Sequence, residues 1–267
     1  MTVPHASTRA LCDMARSLGC VGVELRNDLA GQPFDGLAPE SAKGAATEAG
    51  LAILGLAEMK AFNRETPARL HEAQGLMSQA AACGAKGIAL IPAVADAPQP
   101  REMQRRDLRT ALLALQPLLE AHGLIGLIEP LGFPNSTLRH KEDVVAALED
   151  IGDPACFSIV HDTFHHCLAG GGSVYADRTA IVHVSGVTDP DVTIEEMTDA
   201  HRVLVDTGDR LDNIGQLRAL IADGYAGPIS FEAFAPEIHD LTDPTAALAG
   251  SIAFITQQLQ EETAGAA

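Results

Sequence analysis

Seven short apolar runs alternate with segments of helical periodicity along the whole chain, and this alternation constrains the fold more than any other feature. The strand-like runs are Val21-Gly22-Val23-Glu24-Leu25, Leu51-Ala52-Ile53-Leu54-Gly55-Leu56, Gly87-Ile88-Ala89-Leu90-Ile91, Leu124-Ile125-Gly126-Leu127-Ile128, Phe157-Ser158-Ile159-Val160-His161, Ala180-Ile181-Val182 and Pro228-Ile229-Ser230-Phe231. Helical spacing falls at about 7–18, with Ser7 or Thr8 as cap, then 39–49, 65–82, 101–121, 137–150, 213–222 and 243–259. Glycines at or near the helix ends (Gly19, Gly50, Gly84, Gly123, Gly152 and Gly224) supply the left-handed cap conformation.

Strands joined through helices must lie parallel, and right-handed crossovers leave a closed α/β barrel or a doubly wound sheet. The length of 267 residues matches a single barrel domain over 1–267, with a tail from about 259. A barrel needs an eighth strand. Met1-Thr2-Val3-Pro4 is the segment in place to supply it, so the expected fold is a TIM (β/α)8 barrel with a short or truncated first strand.

The last four runs share a second property: each is closed by an ionisable residue, namely Glu129, Asp162, His183 and Glu232. In a parallel sheet these side chains converge at one end, the end where barrel active sites form. Three carboxylates crowded together repel one another unless a cation lies among them. Oxygen donors with one imidazole suit Mg, Mn, Co, Zn or Fe, so one divalent metal is the expected cofactor.

Composition narrows the partners. Acidic residues outnumber basic ones 36 to 18, and a formal charge of −18 repels phosphate backbones and anionic membranes. The one basic cluster, Arg101, Arg105, Arg106 and Arg109, has helical spacing and reads as a solvated face paired with Glu102 and Asp107. Five scattered cysteines form no Cys-x-x-Cys pair, which suits reduced thiols, and no apolar stretch reaches the ~18 residues of a membrane span. A cytoplasmic protein is expected, with a small molecule as partner, no nucleic acid or membrane, and a homo-oligomer left open.

The segments Ile128-Glu129-Pro130-Leu131-Gly132-Phe133-Pro134, His161-Asp162-Thr163-Phe164-His165-His166, Val182-His183-Val184 and Ser230-Phe231-Glu232-Ala233-Phe234 resemble the xylose-isomerase-like TIM-barrel superfamily over roughly residues 20–255. Within it the chain is most similar to inosose (2-keto-myo-inositol) isomerases and sugar 3-epimerases. The resemblance implies that Glu129, Asp162, His183 and Glu232 bind one divalent metal, that Glu129 and Glu232 also move the proton, and that His165 and Arg202 contact substrate oxygens. It implies an isomerase or epimerase of a keto-cyclitol or ketose acting through an enediolate. An inosose dehydratase-like lyase, a non-catalytic sugar-binding barrel and an endonuclease IV-like nuclease are the other readings.

Some positions depart from the family pattern. Glu58 and Lys60, in the strand ending Leu56-Ala57-Glu58-Met59-Lys60, stand where inosose isomerases tend to be neutral; they either touch substrate or form an ion pair. The 205–210 loop replaces a more Gly-rich turn. His161 is expected to face the helices as a buried neutral histidine, His166 to lie nearer the site, and Glu24 or Arg26 to orient a neighbouring group.

Overall fold

A computed structural model describes residues 1–265 apart from Glu65 and Pro98, with side chains described as far as 261. The chain forms two compact units, Ala6–Val160 and Met1–His5 with His161–Ala267. Of the expected tail, residues 259–265 belong to the last helix, and 266–267 lie outside the described residues.

In the first unit helices α1 (Thr8–Ser17), α2 (Pro39–Ala49), α3 (Pro67–Cys83), α4 (Arg101–His122) and α5 (Lys141–Asp150) alternate with strands β1 (Gly22–Arg26), β2 (Ala52–Lys60), β3 (Gly87–Ile91) and β4 (Ile125–Ile128). Strand β5 (Phe157–Asp162) begins here and runs on into the second unit. Each strand pairs in parallel with the next, in chain order, from β1 to β5. The caps form where expected: the Ser7 hydroxyl accepts from the Ala10 N–H, and all six helix-end glycines have positive φ.

The amphipathic stripe of α4 shows how pattern becomes packing. Leu108, Ala111, Leu112, Leu115 and Leu119 recur at helical spacing and are buried. Leu119 reaches the sheet at Gly126, where an added Cβ would meet Leu119 Cδ1 at 2.9 Å and Phe157 Cδ1 at 2.8 Å. Glycine at that position lets helix and strand approach closely.

The basic cluster on α4 is a solvated face, as expected, with all four arginine side chains exposed, but most of its ion-pair partners differ. Arg101 and Arg105 both donate to Asp143 Oδ1 of α5, at 3.0 and 2.9 Å, and Arg109 lies 3.8 Å from Asp150. Only Arg106 takes its expected partner, Asp107, at 2.9 Å. The arginines therefore tie α4 to α5, because a guanidinium on a long stem reaches the neighbouring helix as easily as its own next turn.

The second unit contains α6 (Thr163–Leu168), β6 (Thr179–Val184), α7 (Asn213–Ala222), β7 (Ile229–Phe231), α8 (Pro236–His239) and α9 (Pro244–Gly265). Strand β6 pairs in parallel with β7, placing His183 opposite Ser230. Its core is built from Val182, Val184, Val205, Leu217, Leu220, Tyr225 and Ile255. His161 is fully buried, as expected, with Nε2 2.9 Å from Gln216 Oε1 on α7.

The truncated first strand has a specific form. Residues 1–5 make no ladder; instead the Thr2 hydroxyl donates to Phe231 O and accepts from Ala233 N–H, both at 3.0 Å. One side chain satisfies two backbone groups that a neighbouring strand would otherwise serve.

The connection from β6 to α7 is fastened at its base. Gly186 and Val203 exchange two backbone hydrogen bonds of 2.8 Å. Asp209 accepts from the backbone N–H groups of Val187, Leu211 and Asn213, at 3.4, 3.1 and 2.8 Å. Further out, Arg210 donates to the carbonyl oxygens of Asp189 and Val192.

Candidate metal centre

Asp162, His183 and Glu232 come together in the second unit, each at the end of its strand as the sequence predicts, and their ligand atoms lie within 4.8 Å of one another. All three are buried, at 2%, 5% and 7% exposure. Asp162 closes β5 and caps α6, with Oδ1 accepting from the His165 N–H at 2.9 Å. His183 Nδ1 stands 3.3 Å from Glu232 Oε2. The Glu232 N–H donates to Val184 O at 2.9 Å, extending the β6–β7 ladder by one bond and fixing where its side chain departs.

Two carboxylates this close would repel by about 3 kcal/mol at an effective dielectric constant of about 20. Arg202 offsets part of that. One guanidinium nitrogen donates to Asp162 Oδ2 and also to Glu232 Oε2, the latter at 3.1 Å. Nε donates to Ser185 Oγ at 2.9 Å, and the other terminal nitrogen to Asp199 Oδ1 at 3.2 Å. Phe164 and Phe234 place their rings 4.9 and 4.8 Å from the guanidinium carbon. The Arg202 carbonyl accepts from the N–H groups of Phe234 and Ala235, so the arginine also anchors the chain leaving β7.

The donor set fits a divalent cation. Two carboxylates and an imidazole, buried and close-set, are the ligand types that hold Mn, Zn, Co, Fe or Mg. Each carboxylate oxygen has two lone pairs, so a hydrogen bond to Arg202 does not by itself bar coordination.

His165 lies beside this group, buried, with its ring edge-on to Phe164 at 5.2 Å. Burial pulls its pKa below the ordinary histidine value, while the Asp162 charge pushes the other way. His166 packs its ring against His161, 4.7 Å between centroids.

In the first unit, Glu129 follows β4 as the fourth strand-end residue of the quartet; it is 3% exposed and its N–H donates to Leu90 O. Glu58 and Lys60 form an ion pair of 2.9 Å within a larger network. Arg26 donates to both carboxylate oxygens of Asp28, at 2.8 and 2.9 Å, and lies 3.4 Å from Glu58. The Asn27 amide grips Glu58 at both backbone groups, accepting its N–H at 2.7 Å and donating to its C=O at 3.2 Å. Burial raises the Glu58 pKa against the pull of Arg26 and Lys60. Burial acts on Asp28 too, but the Arg26 hydrogen bond and charge outweigh it, leaving Asp28 well below the usual carboxylate range.

Sequence reasoning missed Asn27, Asp28, Ser185, Asp199 and Phe234. Asn27 and Asp28 carried a usable signal, since they directly follow Arg26 at a strand end. Asp199 is three residues before Arg202 and Phe234 two after Glu232, but neither spacing gave a role, because the folded loop sets both against the guanidinium.

Parallel strands linked through helices, with ionisable groups at the strand ends, define an α/β barrel protein with a candidate metal centre. Residues 12–258 match the family described as xylose isomerase-like TIM barrel, and the chain belongs to that family. A xylose isomerase domain-containing protein from Salmonella typhimurium LT2 is 27% identical, with TM-score 0.88 over 97% of this chain and 94% of that one. The IolI protein with a bound zinc atom is 19% identical, with TM-score 0.80 over 93% and 91% of the two chains. An L-ribulose 3-epimerase is 18% identical, with TM-score 0.72 over 97% and 90%. No curated protein sequence matches the chain.

Proposed function

We propose that the protein is a divalent-metal-dependent isomerase or epimerase of a keto-cyclitol such as an inosose, or of a free ketose. The observation that carries this reading is the buried grouping of Asp162, His183 and Glu232 around the guanidinium of Arg202. Glu129 is proposed as the fourth ligand. Likeness to IolI, whose structure holds zinc, and to an L-ribulose 3-epimerase supports the substrate class.

Isomerising an α-hydroxy ketone removes a proton from the carbon beside the carbonyl, and the electron density left behind collects on oxygen as an enediolate. A bound divalent ion would supply Lewis-acid stabilisation of that oxygen. Of the two glutamates, Glu232 takes the proton and Glu129 returns it, or the reverse, according to which face of the substrate is presented. His165, held neutral by burial, hydrogen-bonds a substrate oxygen. Within the Glu58–Lys60 pair, the exposed ammonium of Lys60 is the group able to meet a substrate hydroxyl.

Two measurements test the reading. Protein loaded with Mn or Zn is expected to wash deuterium from solvent into the α-carbon of an inosose or ketose, and chelation to stop it; metal-bound protein that exchanges none of these substrates would sink the proposal. Glu232→Gln is expected to lower exchange by at least ~100-fold, the scale of losing one positioned acid–base group. Asp162→Asn is expected to lower metal occupancy, read by metal analysis after gel filtration, and unchanged occupancy would remove Asp162 from the ligand set.

A further inference from the structure

We infer that Glu58 and Lys60 form a specificity-determining pair that reads two neighbouring hydroxyls of the substrate, away from the reacting carbons, and excludes sugars carrying a phosphate there. The inference rests on the isomerase reading above and gives its Lys60 contact a substrate class, a free polyhydroxy ketone.

Strand register puts the pair on the same face as Glu129. In the first unit Gly126 faces α4, since an added Cβ would meet Leu119 Cδ1. Alternation therefore turns Leu127 and Glu129 to the opposite face. An added Cβ at Gly55 would meet Leu127 Cδ1 at 3.2 Å and Glu24 Oε2 at 3.5 Å, so Gly55 and Glu24 share that face, and Arg26 follows two residues on. Lys60 pairs with Ile91, and Leu90 with Ile128, which sets Lys60, Ile91 and Glu129 level on adjacent strands. Two strand spacings, roughly 10 Å, separate the backbones of Lys60 and Glu129. A proton-moving glutamate and an exposed ammonium thus address different parts of one bound molecule.

The chemistry of the pair suits hydroxyls. Two of the three ammonium donors of Lys60 face Glu58 Oε1 at 2.9 Å and Asp28 Oδ2 at 3.4 Å, which leaves one for a ligand. A hydroxyl both accepts and donates, so one can accept from the ammonium while its neighbour donates to the carboxylate beside it. A phosphate brings negative charge against Glu58 and Asp28. Ionised, these two carboxylates cancel the charges of Lys60 and Arg26, so no cation is left uncompensated for an anion. Arg26 is itself committed, with an 8% exposed side chain that donates to both Asp28 oxygens.

The frame around the pair is rigid. The Asn27 amide bonds both backbone groups of Glu58, and Arg69 donates to the Lys60 carbonyl at 2.7 Å. These ties hold the strand ends without help from the Glu58 and Lys60 side chains. The ammonium, 64% exposed, stands at the surface of this frame.

The test titrates zinc-loaded full-length protein with D-fructose, 6-deoxy-D-fructose and fructose 6-phosphate by saturation-transfer NMR, and follows solvent deuterium exchange into D-fructose. The parent is expected to bind D-fructose about tenfold tighter than either analogue, the scale of one hydrogen bond to a charged group. Lys60→Met is expected to weaken D-fructose about tenfold and to bind the deoxy sugar equally well. Glu58→Gln leaves the ammonium less compensated, and is expected to improve fructose 6-phosphate relative to D-fructose by about tenfold. A merely structural pair would weaken all three sugars alike. The inference is overturned by a parent that binds the three equally, favours the phosphate or binds none. It is equally overturned by a Lys60→Met protein that keeps the preference over the deoxy sugar, or by a Glu58→Gln protein with the parent's phosphate ratio. Should Glu58→Gln fail to fold by circular dichroism, the variant at the exposed Lys60 decides. A parent that shows these preferences yet exchanges no deuterium supports the pair and overturns the isomerase reading alone.

Discussion

Burial gives His165 a pH-dependent part in stability. The folded protein holds its imidazole neutral more strongly than the unfolded chain does, since desolvation lowers its pKa. Between the folded value and the ordinary value of about 6.5, the unfolded chain therefore binds more protons. The contribution is intact above roughly pH 6.5 and is lost as pH falls below it. With a chelator present, the parent is expected to lose more stability than His165→Gln between pH 7 and 5, measured by urea melts. Parallel curves would show that His165 ionises freely in the fold. At this scale the buried grouping was legible because strand alternation fixes where each strand-closing residue points: Asp162, His183 and Glu232 meet as their positions demand. The partners of Arg202 were not, because Ser185 and Asp199 lie 17 and 3 residues away along a chain whose path between them follows no periodic pattern.

Elements were legible wherever periodicity and caps agreed. α2 and α7 occupy 39–49 and 213–222 as predicted, while α5 starts at Lys141 rather than 137, after the Ser136 hydroxyl bonds the nearby Leu138 carbonyl and the Thr137 hydroxyl bonds the distant Ala93 carbonyl. Hydroxyls committed to backbone outside the helix compete with it, and hydrophobic spacing does not register that competition. The N-terminal element shows the same limit. Four residues are too few to display a period, and the contact that matters is a single hydroxyl on Thr2. Thr2→Val keeps the shape but leaves Phe231 O and Ala233 N–H without that partner; the expected cost is about 1–3 kcal/mol, from two hydrogen bonds at typical net values. A thermal melt would read this as a fall of several degrees, and an unchanged midpoint would show that the bridge contributes nothing.

For the whole molecule, charge is the property that composition alone determines. A formal −18 spread over 267 residues opposes compaction, and the local ion pairs leave most of that excess uncompensated. Raising ionic strength from 0.01 to 0.15 M shortens the screening length from about 30 to 8 Å. The melting temperature is expected to rise over that interval with a non-coordinating salt such as sodium chloride. A flat response would mean that self-repulsion is negligible in the folded state. The same excess is spread over many elements, so the molecule must rely on apolar burial and the buried polar ties described above for its stability.

The fastening of the β6–α7 connection has a consequence for how such a protein diversifies. Asp209 gathers three N–H groups at the base of the excursion, and the Gly186–Val203 pair closes it, while residues 189–196 extend beyond this clasp, ahead of the buried Met197. That stretch is a cassette: its sequence is open to exchange with the hinge points left intact, and selection or a laboratory library could rewrite its chemistry without rebuilding the scaffold beneath.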